Sequence, residues 1–276
     1  MDRKIVEKKS GKQALIDILK GLWIGSTMTV PGVSGGTMAV VVGIYENLIH
    51  AVNGFRKEPL KQIPFLLRFV LGAGTGFLIF ARIVTYLLEQ ETAGEVMRLL
   101  FCGIVLGGIP LLVKKSEVKK IKVRHIFWLV CGALIVLGLA NIPHGTFTGG
   151  SGVAAFLLQV FAGFLIAAAL ILPGISVTHM LYIMGLYEVV MESVYSFHFL
   201  ILVPLAIGGL LGTFLTAGAL EYLMKKNTEE VYLVIIGFVA GSLVSLLPAT
   251  GIHLPLLDVI AAAVGFIAMY QLAKKA

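Results

Sequence analysis

Pro31–Glu46 reads PGVSGGTMAVVVGIYE, and Pro173–Glu188 reads PGISVTHMLYIMGLYE. Aligned without a gap, seven of the sixteen positions are identical: Pro, Gly, Ser, Met, Gly, Tyr and Glu. Average residue usage would give about one match. Fainter correspondences follow downstream: Pro64 with Pro204, Gly76 with Gly212, Tyr86 with Tyr222, and Glu95-Val96 with Glu230-Val231. This self-similarity divides the chain into two repeats, 1–142 and 143–276.

Each Pro-Gly pair interrupts an apolar run, Gly21–Ile49 in the first repeat and Gly152–Val190 in the second. Six other segments qualify as membrane spans on length and apolarity: Pro64–Leu88, Val96–Val113, His125–Ala140, Phe199–Met224, Val231–Leu247 and Leu254–Leu272. Asp17 and Lys20 leave about ten clean apolar residues before Pro31, which at ~1.5 Å each reach only half of a ~30 Å core. The second arm, Thr37–Ile49, is also short. The first interrupted run therefore reads as a re-entrant helical hairpin with its tip near the midplane. The arm before Pro173 is longer, and a paired span remains open there. The fold class is an all-α polytopic membrane protein.

Composition supports that class. The 276 residues are 58% hydrophobic and 13% charged, too little charge for a soluble surface. The 32 glycines suit close packing of membrane helices. The net charge of +7 comes from lysines and arginines in short inter-helix loops, so cytoplasmic anchoring accounts for it and nucleic acid is not an expected partner. Cys102 and Cys131 lie in apolar segments and read as packing residues. They form neither a CxxC nor a metal set, and no cofactor is expected. The basic Met1–Lys12 stretch is not followed by the pattern of a cleaved signal peptide.

Loop charge gives orientation. Lys and Arg fall in the N-terminal tail, Arg56-Lys57 with Lys61, Lys114–Arg124, Lys225-Lys226 and Lys274-Lys275. Glu89–Glu95, Asn141–Gly152, Tyr195–His198 and Pro248–His253 contain neither. With two hairpins that return to their starting side, these sets alternate, and both termini are cytoplasmic. Full spans in place of hairpins would give the same parity. Each repeat holds one hairpin and three spans; three is odd, so the second repeat enters from the opposite leaflet. That is the inverted plan of many secondary transporters, with broken helices meeting near the midplane.

Non-helical backbone at membrane depth must be buried in protein or line a wet cavity. Ser34-Gly35-Gly36-Thr37 combines two glycines, which admit a ligand to the backbone, with two hydroxyl donors. A helix start bearing such donors suits an anion, above all phosphate. Gly32 and Gly174 form the turns, and Ser176, Thr178 and His179 stand at the matching places of the second repeat. Ser and Thr there also suit helix capping. Arg82 lies well inside Pro64–Leu88, where an arginine is a functional candidate; snorkelling to the interface is the competing reading. No arginine matches it near Gly218. Arg68 reads as a snorkelling residue, and Asp258 and Glu221 as interfacial. Glu46 and Glu188, after Gly-x-Tyr in each repeat, are candidates for ion pairing or coupling, with His179 as a further proton carrier.

PGVSGGTMAVVVGIYENLI, with a second PGIS…GLYE in the other repeat, resembles the bacterial polyprenyl-phosphate translocase family over essentially the whole chain. The resemblance implies return of undecaprenyl phosphate, a lipid carrier of cell-wall synthesis, to the cytoplasmic face of the bacterial cytoplasmic membrane. Pro31, Gly32, Ser34, Gly35, Gly36 and Thr37 match the family pattern. Two positions depart from it: Thr29 where an acidic residue often stands, and Val177-Thr178-His179 where the second motif usually continues Gly-Ser.

Two other functions compete. Gly32-Val33-Ser34-Gly35 also fits the serine motif of intramembrane proteases, with His179 as the base. The duplicated Ser176 argues against a single catalytic dyad. An ion-coupled exporter of a small anion would use the same tip donors. Neither tip carries the Asp, Asn, Gln and Trp cluster that sugar recognition needs, since Trp23 and Trp128 are isolated. The expected cargo is therefore a lipid monophosphate among membrane lipids, handled without catalysis.

Overall fold

The structure is a computed structural model that describes residues 11–30, 33–139, 147, 152–246 and 256–275. Among the described residues the regular secondary structure is all helix. The first six helices are α1 (Gly11–Thr27), α2 (Gly35–Val41), α3 (Tyr45–Gly54), α4 (Pro59–Glu89), α5 (Glu91–Lys115) and α6 (Val123–Leu139). The next six are α7 (Gly152–Ile171), α8 (Val177–Ile183), α9 (Tyr187–Tyr195), α10 (Val203–Lys226), α11 (Thr228–Ser242) and α12 (Leu256–Lys275). Short 3-10 turns precede α10 and follow α11. In length the two sets run in parallel, each with one long helix, two short ones and three more long ones.

Five helices among the described residues are long and apolar enough to cross a membrane: α4, α5, α7, α10 with its preceding turn, and α12. The expected spans His125–Ala140 and Val231–Leu247 correspond to shorter helices, α6 with 17 residues and α11 with 15 before its terminal turn. Glu89–Glu95 is not an extended loop. It is helical on both sides of Gln90, where the backbone becomes extended and turns the chain.

The first hairpin also differs from expectation. Asp17 and Lys20 lie inside α1, which starts at Gly11 and so reaches deeper than ten residues allow. Asp17 is tolerated because Arg68 of α4 stands 3.6 Å away and Gln13 donates to it at 3.1 Å. Arg68 therefore faces a carboxylate rather than snorkelling. The second arm is not one helix: α2 and α3 meet at 118° around Val42–Ile44. Gly43 makes that bend with φ +70°, a left-handed conformation that only glycine adopts without cost. Gly185 makes the same bend between α8 and α9 with φ +72°.

Four helix pairs build the body: α1 with α4, α7 with α10, α5 with α12, and α6 with α11. Glycine sets the approach in every pair. A Cβ on Gly25 would stand 1.9 Å from the Ala73 carbonyl oxygen, and one on Gly208 1.8 Å from that of Val160. The corresponding distances are 2.0 Å from Gly103 to Ala262 and 2.1 Å from Gly237 to Leu129. Backbone thus packs on backbone, which in a membrane replaces the hydrophobic drive that lipid removes. Inside this frame sits α2, with Gly36–Val41 all buried; its residues are apolar or small except Thr37.

Candidate functional site

The two hairpins meet where their helices break. Ser34 is the N-cap of α2 with an extended backbone (φ −89°, ψ 135°), but its hydroxyl makes no capping bond. The capping role expected of it is therefore positional only. Thr37, one turn further, is 1% exposed, and its Oγ1 accepts the Gly174 N–H at 2.7 Å. This bond runs from one Pro-Gly break to the helix that follows the other. Gly36 faces the same turn: a Cβ there would lie 3.1 Å from the Pro173 Cα and 3.2 Å from the Leu172 carbonyl oxygen. Gly174 takes φ +83°, and a Cβ on it would stand 2.4 Å from the Phe238 carbonyl oxygen. The Tyr45 hydroxyl adds a second tie, donating to the Ile171 carbonyl at the end of α7 at 2.9 Å.

Between the tips lies a cavity of about 30 Å³, lined by Met28, Ser34, Gly35, Ile175, Ser176 and Thr178 among others. A cavity of that size holds a water molecule but no phosphate group. The Met28 thioether presses against Gly35, 2.8 Å from where a Cβ would be. Ser34, Gly35, Gly36, Thr37, Gly174, Ser176 and Thr178 are thus gathered into one region, in a closed state. Gly32 lies outside the described residues. Arg82 is on α4 and His179 on α8, but their side chains are outside the described set.

The two glutamates of the repeat do not share an environment. Glu46 accepts from Lys115 of α5 and from the Tyr232 hydroxyl of α11. Glu188 is exposed on α9. Two residues read as interfacial are also engaged with the protein. Asp258 is 2% exposed, and Glu221 is bound by His50, Asn53 and Lys225. Nothing in the local sequence marks these clusters, because their members come from opposite ends of the chain. Among the described residues no group of His, Cys, Asp and Glu is arranged to hold a metal ion.

A family model described as undecaprenyl phosphate translocase-like matches residues 24–258. A polyprenyl-phosphate transporter of Staphylococcus aureus is 29% identical over 273 residues, covering 94% of this chain and 96% of the relative. A polyprenyl-phosphate transporter of Vibrio cholerae is 26% identical over 244 residues, covering 83% of this chain and 76% of the relative. Both names describe transporters, so neither the protease nor the small-anion exporter gains support. No solved structure matches the chain.

Proposed function

Because the chain belongs to the undecaprenyl phosphate translocase-like family, we propose that it carries a polyprenyl phosphate, undecaprenyl phosphate above all, across the bacterial cytoplasmic membrane. The observation that carries this reading is the junction of the two broken hairpins, sealed by the Gly174 N–H to Thr37 bond. Donors for a phosphate oxygen stand at that junction: the hydroxyls of Ser34, Thr37, Ser176 and Thr178, with Gly35, Gly36 and Gly174 now packed against Met28, Pro173 and Phe238 and uncovered only when the tips part. Arg82 offers a cation on one approach. The isoprenoid tail stays in lipid.

In this reading the repeats 1–142 and 143–276 face opposite leaflets, both termini are cytoplasmic, and phosphate enters when the tips part. No bond of the lipid is made or broken. The test is translocation in liposomes holding the purified protein, with undecaprenyl phosphate and lipid II at equal mole fraction. Undecaprenyl phosphate is expected to move and lipid II to be a poor substrate, because the tips lack sugar-reading groups. Ser34→Ala is expected to slow transport partially, by a hydrogen bond worth roughly 1–3 kcal/mol. Equal handling of lipid II would overturn the head-group argument. A fluorophosphonate adduct on Ser34 would point to a hydrolase.

A further inference from the structure

Far more room for a phosphate lies away from the tips. A cavity of about 560 Å³ opens at the end of the molecule that carries the basic loops, between α3, α5, α10 and α11. A second, of about 330 Å³, adjoins it between α3 and α10. His50, Glu221 and Lys225 line both, so the Glu221 carboxylate stands where the two meet.

That carboxylate is held as a bound anion would be. It accepts from His50 Nδ1 at 2.9 Å, Asn53 Nδ2 at 2.7 Å and Lys225 Nζ at 2.7 Å. Two of these donors belong to α3 and one to α10, and the two from α3 hold the helices together. Lys57 extends the donor set into the smaller cavity, and Lys114 and Lys115 into the larger. The larger cavity also contains Glu46 and Glu117. Glu46 is already taken by Lys115 and Tyr232.

The repeat does not reproduce this cluster. At the spacing that relates Pro31 to Pro173, His50 and Asn53 correspond to Glu192 and Tyr195. At the spacing that relates Tyr86 to Tyr222, Glu221 and Lys225 correspond to Thr85 and Glu89. The matching positions in the other repeat thus hold two acidic residues and no cation. The donor set is therefore peculiar to one copy of the repeat pattern.

We propose that the His50–Asn53–Lys225 cluster is a second phosphate station, at the basic mouth, and that Glu221 fills it while no lipid phosphate is there. It rests on the reading that the chain carries a lipid monophosphate. A phosphate arriving from the tips exchanges with the Glu221 carboxylate for the same three donors. The exchange loosens α3 from α10 and widens the mouth for release.

The experiment measures binding of geranyl phosphate, a short prenyl monophosphate, to the full chain in nanodiscs, with inorganic phosphate as a parallel arm. Glu221→Gln removes the internal competitor and keeps a neutral side chain of the same shape. Affinity is expected to rise roughly tenfold, the equivalent of one charged hydrogen bond. A misfolded protein cannot give that gain. The double variant His50→Ala/Lys225→Ala is expected to lose affinity by a similar factor. Unchanged affinity in both, with Ser34→Ala still weakening binding, would overturn the station and leave the transport reading intact. Equal binding of inorganic phosphate would assign the cluster to a soluble anion and overturn it too. Failure of the unmodified protein to bind geranyl phosphate would take down the transport reading as well.

Discussion

At Gly43 the backbone turns with φ +70° and the Ile44 N–H reaches back to Ala39 at 2.9 Å; at Gly185 it turns with φ +72° and the Leu186 N–H reaches Leu181 at 2.9 Å. Beyond these turns the copies part company. Tyr45 is buried and ties α3 to α7, whereas Tyr187 is half-buried with its ring 6.3 Å from that of Tyr182. Glu46 is bound to α5 and α11, and α3 is pinned to α10. Glu188 is exposed, and α9 packs on the 3-10 turn Phe199–Leu202. A shared local sequence specifies the turn. What each copy does afterwards is decided by the helices packed around it, and these differ between the copies.

Substitutions can separate these two layers. The largest effect is expected at the tip: Gly174→Ala meets both an adverse φ and the Phe238 carbonyl at 2.4 Å. A loss of about 2–5 kcal/mol is expected, read as a drop in thermal unfolding temperature in detergent. Tyr45→Phe should come next. It strips the Ile171 carbonyl of a buried donor and costs about 1–3 kcal/mol, while Tyr187→Phe should stay within about 0.5 kcal/mol. Equal effects of the two would break the contrast drawn above. The smallest expected effect is the matched pair Gly43→Ala and Gly185→Ala. Each costs about 1 kcal/mol through the left-handed turn alone, and the two should agree. A clear difference between them would show that tertiary packing reaches into the turns.

Much of the frame was legible in the sequence. The Pro31 and Pro173 motifs marked both breaks, the apolar runs marked the long helices, and the glycines announced close packing. The sequence did not say which glycine faces which helix, so the pairing of α5 with α12 and α6 with α11 stayed hidden. The Glu46–Lys115–Tyr232 and His50–Asn53–Glu221–Lys225 clusters were hidden for the same reason. Each joins residues far apart along the chain, and each member taken alone looks like an ordinary interfacial residue. Asp17 misled in another way. A charge in an apolar run looks like a helix boundary until its partner, Arg68 on the neighbouring helix, is seen.

The crossed pairing of α5 with α12 also bears on biosynthesis. Gly103 on α5 is shaped to meet the backbone of Ala262, and Gly265 on α12 that of Leu100. When α5 leaves the ribosome, the helix it fits has not yet been made, and its glycine face must wait in lipid or against a chaperone. A helix synthesised about 140 residues later completes a contact begun in the first half. A ribosome that stalls before Leu256 therefore leaves the glycine face of α5 uncovered, and quality-control proteases should recognise such a chain by that exposed face.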